Sequence, residues 1–226
     1  MPPAYSDQQL LSGLPEHVLA GLFKSATPVR VKAQEILFLA GDAADGCYRV
    51  EEGLLKVTMV SHSGTERILA FLGPGAIVGE LSVIDGLPRS ASVAAVRDTA
   101  LSFLSRAAFE EFVQKHPEIY KSLVIVIARR LRDTDAAIAA GSFLPLRGRL
   151  AATLLELAES FGKDVGSGRV VIRQKLGQSD LAAMAGIARE NVSRILNDWM
   201  RAKLVSRLSG YYCLENKAKL QKEAEL

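Results

Sequence analysis

The apolar positions fall into two regimes that meet near Ser105. Before it they come in short runs at close spacing; after it they recur every three or four residues. In the first regime "LLKVTMV" (Leu54 to Val60) carries strand-forming residues in partial alternation. "SHSG" follows as a turn, "ERILAFL" as a second strand and "GPGA" (Gly73 to Ala76) as another turn. "SASVAAV" and "ALSFLS" predict two more short strands, and "AGDAADG" and "EEG" punctuate the region before them. Many short strands at this spacing predict a sandwich or barrel.

In the second regime "SRAAFEEFVQKHP" predicts a short helix with Ser105 as its N-cap. A long helical run, "PEIYKSLVIVIARRLRDTDAAIAAG", starts at Pro117, a residue suited to a first helical turn. Tyr120, Val124, Ile127, Leu131, Thr134, Ile138 and Gly141 follow a four-three spacing, flanked by Arg129, Arg130, Arg132 and Asp133. That is a coiled-coil seam, and its simplest partner is a second copy of the chain rather than the chain's own domain. Shorter helices follow at Leu146 to Phe161, Gln178 to Ala185 and Arg189 to Arg201, with "GKDVGSG" as a loop. "LVSRLSGYYCL" predicts a β-hairpin turning at Ser209-Gly210, and "ENKAKLQKEAEL" a solvated or frayed tail. No internal repeat is visible.

Composition narrows the class. The 226 residues allow one large domain or two smaller ones, and 49% apolar against 23% charged residues mark a globular chain. No apolar run reaches a membrane span, and "MPPAYSDQQLLSGLPEH" lacks the charged start and apolar core of a signal peptide, so a cytoplasmic protein is expected. Cys47 and Cys213 make neither a disulfide framework nor a metal motif, and His17, His62 and His116 are scattered. The net charge of +3 does not by itself indicate nucleic acid.

Two stretches carry candidate chemistry. "GELSVIDGLPRSA" (Gly79 to Ala91) holds a carboxylate, Glu80, and a guanidinium, Arg89, around a tight turn. The plain reading is a structural salt bridge; the sharper one is anion binding, since the guanidinium fork suits phosphate oxygens. "SDLAAMAGIARENVSRIL" (Ser179 to Leu196) is a helix-turn-helix pattern, with Leu181, Ile187, Val192, Ile195 and Leu196 as a small core and Gly186 at the turn. Its second helix presents Arg189, Glu190, Ser193, Arg194 and Asn197. Arginine can hydrogen-bond guanine and glutamate can accept from cytosine in a major groove, whereas the plain reading is a solvated helix face. The following hairpin, a wing, and the upstream helix strengthen the first reading.

With "GDAADGCYRVEEG" and "ARRLRDTD", these segments resemble the cyclic AMP receptor protein family from about Leu10 to Leu214. The resemblance implies an α+β chain: a jelly-roll-like β-roll that binds a cyclic nucleotide (1–116), a dimerisation helix (117–141), a hinge (142–146) and a winged helix-turn-helix domain (147–226). It implies that "GELSVIDGLPRSA" is a phosphate-binding cassette. Arg89 would meet the phosphate, helped by Ser90 and Ala91; Glu80 would accept the ribose 2′-OH; Gly79 and Leu81 would complete the contact. Thr134 and Asp135 match two dimer-helix positions that reach the purine, one from each subunit. Asp135 stands where the best-known relative has serine. As an acceptor it suits guanine N1–H and N2 as well as the adenine amino group, so cyclic GMP joins cyclic AMP as a candidate, with cyclic AMP first.

The resemblance also implies a homodimer that binds palindromic double-stranded DNA with TGTGA-like half-sites through Ser179, Arg189, Glu190, Ser193 and Arg194. It leaves RNA polymerase open as a partner near "GKDVGSG". No prosthetic group is expected, because the iron–sulfur and haem branches need cysteines or a ligating residue for which nothing here argues. No membrane is implied, and an enzyme is not expected, since no metal cluster, triad or poised histidine accompanies Glu80 and Arg89. The competing expectation is a regulator that binds DNA without a nucleotide or senses another signal.

Overall fold

The computed structural model describes residues 16–117 and 119–225. The start of the resemblance at Leu10, and the reading of the N-terminal segment up to residue 15, lie outside the described residues. The chain forms two units, residues 16–130 and 131–225, whose boundary falls inside the long helix.

The first unit is a β-roll. Helix α1 (Glu16–Leu22) leads into strands β1 (Thr27–Val31), β2 (Ile36–Phe38), β3 (Gly46–Val60), β4 (Glu66–Leu72) and β5 (Ile77–Val78). Then come helix α2 (Glu80–Asp85), strand β6 (Ser92–Ser105), helix α3 (Arg106–Lys115) and the start of α4 (Ile119–Phe143). The sheet runs β1-β6-β3-β4, with β2 paired to β6 and β5 to β3, all antiparallel.

Strands β3 and β6 form its spine, and they correct two expectations. "SASVAAV" and "ALSFLS" are one strand of 14 residues. "EEG" does not interrupt β3; it is a bulge inside it, where the register against β6 shifts between Val50 and Glu52 and again between Glu52 and Leu54. Gly53 takes φ +101° there, and a Cβ on it would strike Thr99 and the carbonyl of Asp98. The Leu54 N–H donates to buried Thr99 Oγ1 at 3.2 Å, and that hydroxyl donates to the Arg97 carbonyl at 2.7 Å. Such a bulge bends both strands and lets two long ribbons curl into a roll.

One apolar cluster ties the roll to its helices. Leu22, Phe23, Cys47, Ile77, Val83, Leu104, Phe109, Val113 and Ile119 pack together, with Leu81 and Phe112 against them. Cys47 is a core residue, fully buried. Helix α3 begins where expected: Ser105 Oγ accepts the Ala108 N–H at 3.3 Å. Helix α4 runs through Gly141, which had been expected to end it, and stops at Phe143. Gly141 keeps a negative φ, and glycine weakens a helix by about 1 kcal/mol without ending it. The interruption is Leu144–Pro145, two residues between α4 and the next helix, within the stretch 142–146 where a hinge is expected.

The second unit holds the rest of α4, α5 (Leu146–Phe161), strands β7 (Gly162–Asp164) and β8 (Val170–Ile172), helices α6 (Gln178–Ala185) and α7 (Arg189–Arg201), strands β9 (Val205–Leu208) and β10 (Tyr211–Leu214), and helix α8 (Lys217–Glu223). Helices α5, α6 and α7 have the expected bounds. The sheet order is β7-β8-β10-β9. "GKDVGSG" is therefore more than a loop: Gly162–Asp164 pair with Val170–Ile172. The wing turns at Ser209-Gly210, both with positive φ, as a two-residue hairpin.

The tail is not frayed. Asn216 Oδ1 caps α8 by accepting the Lys219 N–H at 3.0 Å, and Leu220 is fully buried. Arg147, in the first turn of α5, grips Glu223 with two nitrogens, at 3.3 and 3.4 Å.

Candidate functional site

The cassette begins where β5 ends. Gly79 takes φ +81° and turns the chain into α2, and Gly86, at φ +77°, turns it out again. A left-handed backbone at Gly79 costs other residues about 1–2 kcal/mol. A Cβ there would also collide with Nη1 of Arg89. Glycine is thus required at Gly79 twice over, by conformation and by the close approach of the guanidinium.

Arg89 is only 5% exposed. Its backbone is pinned on both sides: its N–H donates to Asp42 O at 2.9 Å, and its carbonyl accepts the Gly41 N–H at 2.8 Å. Its Nη1 donates to Gly79 O at 2.9 Å, and its Cζ lies 4.3 Å from the ring centre of Phe38 and 6.0 Å from that of Tyr48. Its Nε is buried without a hydrogen-bond acceptor. Glu80, the first residue of α2, is equally buried. Both charges bear on the Cys47 thiol, whose pKa is pushed up to about 12 by burial and by Glu80, with Arg89 acting the other way.

The cassette residues predicted from sequence separate by exposure. Gly79, Glu80 and Arg89 converge, Ser90 is exposed next to Arg89, and Ala91 is buried as the chain enters β6. Leu81 is half-buried and packs against the apolar cluster, so its side chain belongs to the core. Thr134 and Asp135 are exposed on α4, in the second unit. Tyr120, Val124, Ile127, Leu131 and Ile138, the apolar members of the expected seam, are exposed on the same helix, with Ile125 beside them.

The second candidate surface lies on α7. Leu181, Val192, Ile195 and Leu196 are buried as expected between α6 and α7, whereas Ile187 is only half-buried. The anchor not foreseen is Trp199, fully buried beneath α7. Arg189, Glu190, Ser193, Arg194 and Asn197 line an open hollow of about 570 Å³. Gln178, Asp198 and Arg201 complete its lining and were missed, because all three lie outside the quoted motif, Gln178 directly before it and the other two after it on α7. Ser179 is exposed but does not line it. Arg194 is pre-oriented by donating to Asn191 Oδ1 at 2.9 Å, and Arg201 pairs with Asp198 at 2.5 Å. Two arginines and a glutamate aimed out of one helix face can read base edges, with Arg201 available to phosphate.

Among the described residues, no group of three or more His, Cys, Asp or Glu could hold a metal ion, and no helix is long and apolar enough to cross a membrane.

Comparison with known proteins identifies the family of each unit. Residues 28–116 match the cyclic nucleotide-binding domain family, and residues 148–223 match the Crp-like helix-turn-helix domain. A CRP-like cAMP-activated global transcriptional regulator of Mycobacterium tuberculosis is 31% identical over 96% of this chain and 93% of its own length. The cyclic AMP receptor protein of Thermus thermophilus is 36% identical over 71% of both chains. A solved transcriptional regulator of the CRP/FNR family from Thermus thermophilus superposes with a TM-score of 0.71 at 28% identity, covering 88% of this chain and 99% of the other. With a nucleotide-type β-roll followed by a winged helix-turn-helix, the chain belongs to the cyclic AMP receptor protein family of ligand-sensing, DNA-binding transcription regulators.

Proposed function

We propose that this regulator is a homodimer that binds cyclic AMP in the cassette and then a palindromic DNA site with TGTGA-like half-sites. One observation carries the ligand reading: Arg89 is a buried cation whose Nε–H lacks an acceptor. An unsatisfied buried donor costs about 1–3 kcal/mol. A phosphate anion offers both the charge and the acceptors, and the planar fork suits it. Ser90, exposed beside Arg89, adds a hydroxyl, with the Ala91 backbone next to it, and Glu80 accepts the ribose 2′-OH. The relatives' names favour cyclic AMP. Asp135 makes cyclic GMP the competitor, because two carboxylate oxygens can accept from guanine N1–H and N2.

The exposed apolar stripe of α4 is the proposed dimer seam, which would bring Thr134 and Asp135 to the purine. Arg189, Glu190 and Arg194 would read base edges, with Ser193 and Ser179 at the rim. Two copies would enter successive major grooves about 34 Å apart. Nucleotide would act by its differential affinity for the DNA-competent arrangement, in the cytoplasm where the DNA lies.

The test is calorimetric titration of nucleotide-free protein with cyclic AMP and, separately, cyclic GMP, for wild type and Arg89→Ala, followed by DNA binding with each. Arg89→Ala should weaken the nucleotide by about 2–5 kcal/mol, as for one partner removed from a buried charge pair. DNA affinity should rise with cyclic AMP. A rise with cyclic GMP alone would reassign the effector. Tight specific DNA binding by nucleotide-free protein, unchanged by either ligand, would overturn the proposal.

A further inference from the structure

Arg106 breaks a local rule. It is the first residue of α3, at the positive end of that helix, where a cation opposes the macrodipole, and no acidic residue in the first turn offsets it. A local violation of this kind calls for a gain elsewhere.

The gain lies at the far end of α2. Arg106 Nη2 donates to the carbonyl of Ser82 and reaches the carbonyl of Ala44 at 3.5 Å, and a Cβ on Gly86 would lie 3.3 Å from Nη1. The Arg106 backbone N–H is held in turn by Asp45 O at 2.7 Å. Helix α2 has six residues and no basic residue in its own last turn. So short a helix is marginal alone, and its last carbonyls favour a cation. Ser82 O, in a residue 2% exposed, also accepts the Gly86 N–H at 3.1 Å, so Arg106 fills its second lone pair.

Helix α2 is therefore fastened at both ends by arginines that donate to carbonyls, Arg89 to Gly79 O and Arg106 to Ser82 O. Glu80 opens that helix, which is flanked by two glycines of positive φ, Gly79 and Gly86, that would let it swing if unfastened. We propose that Arg106 is a positioning residue: it fixes α2 from its C-terminal end, so that Glu80 is held toward the ribose and the site discriminates ribose from deoxyribose. This rests on the cyclic-nucleotide reading of the cassette.

The experiment has two arms, each on the full chain. Calorimetry with cyclic AMP and 2′-deoxy cyclic AMP gives the ribose selectivity of wild type, Arg106→Met and Arg106→Lys. A hydrogen bond to a charged group sets the wild-type ratio at about tenfold or more. Arg106→Met should bring it within about threefold of unity, and Arg106→Lys, which keeps the charge but not the fork, should fall between. In the second arm, hydrogen exchange of the ligand-free protein should accelerate about tenfold at the amides of residues 83–87 in Arg106→Met, with β3 and β6 unchanged.

A ratio retained in Arg106→Met overturns the proposal, as does equal weakening of both nucleotides with unaltered exchange at α2, which marks a merely structural role. If wild type binds neither nucleotide, the cassette reading fails. The exchange arm then decides alone whether Arg106 fastens α2, with unaltered exchange counting against it. If Arg106→Met does not fold, Arg106→Lys carries both arms.

Discussion

Gly79→Ala separates two costs that a glycine in a site can hide. The first is conformational: alanine at φ +81° pays about 1–2 kcal/mol in the left-handed region. The second is steric: the new methyl would sit on Nη1 of Arg89 and break its bond to Gly79 O, a charged hydrogen bond of about 1.5–3 kcal/mol. The sum is about 2.5–5 kcal/mol. Gly64 supplies the control, since it has φ +82° and nothing within 4 Å of a Cβ, so Gly64→Ala should cost only the first part. Amide hydrogen exchange in the β3–β6 ladder reads the opening free energy of this unit by itself. Gly79→Ala should show the larger loss there and should also bind cyclic AMP more weakly than Gly64→Ala. Losses agreeing within about 0.5 kcal/mol would refute the packing of Arg89 against Gly79.

Leu131, 62% exposed on one chain, should matter only to pairing: Leu131→Asp should leave folding within about 0.5 kcal/mol of wild type yet sediment as a monomer, and a persistent dimer would place the seam elsewhere. Arg194→Ala should cost about 1–3 kcal/mol at one base pair of a substituted operator panel, whereas uniform weakening on all sequences would make Arg194 a phosphate contact. Glu156 on α5 is pushed up to about 9 by burial and by the neighbouring Glu159 carboxylate. The folded state then holds a proton that the unfolded chain releases at the ordinary carboxylate pKa, so stability falls as pH rises from that range to about 9. Glu156→Gln should remove this slope, with its advantage over wild type growing across the window in α5 hydrogen exchange; parallel profiles would show that Glu156 ionises normally.

The helices were legible because their signals are local. The bounds of α5, α6 and α7, the Ser105 cap and the Ser209-Gly210 turn were all written within a few residues of where they act. The strands were legible only where alternation sufficed. β1 and β2 find their partner on β6 more than fifty positions later, and the two short strands read on either side of "RDT" are one, with Thr99 fastening the bulge of β3 from within it. The tail misled for a similar reason. Leu220 is one apolar residue in a charged run, and only its burial and the grip of Arg147 on Glu223 make α8 a packed helix. At the cassette, residue types pointed to the convergence of Glu80 and Arg89. The role of Arg106 was invisible, since its target carbonyl belongs to a residue 24 positions away.

Trp199 gives the second unit a built-in optical reporter. It is the chain's single tryptophan, it is fully buried on α7, and the Arg147 guanidinium lies 5.4 Å from its ring centre. Its indole N–H has no acceptor, so its emission is set by that apolar pocket and by the nearby cation. Any reseating of α7 when it meets DNA would change the wavelength or yield of that one fluorophore. Tyr48, whose ring centre lies 6.0 Å from the Arg89 guanidinium, would respond to nucleotide through its own emission at shorter wavelength. Ligand binding and DNA docking could then be timed on two spectral channels in one unlabelled protein.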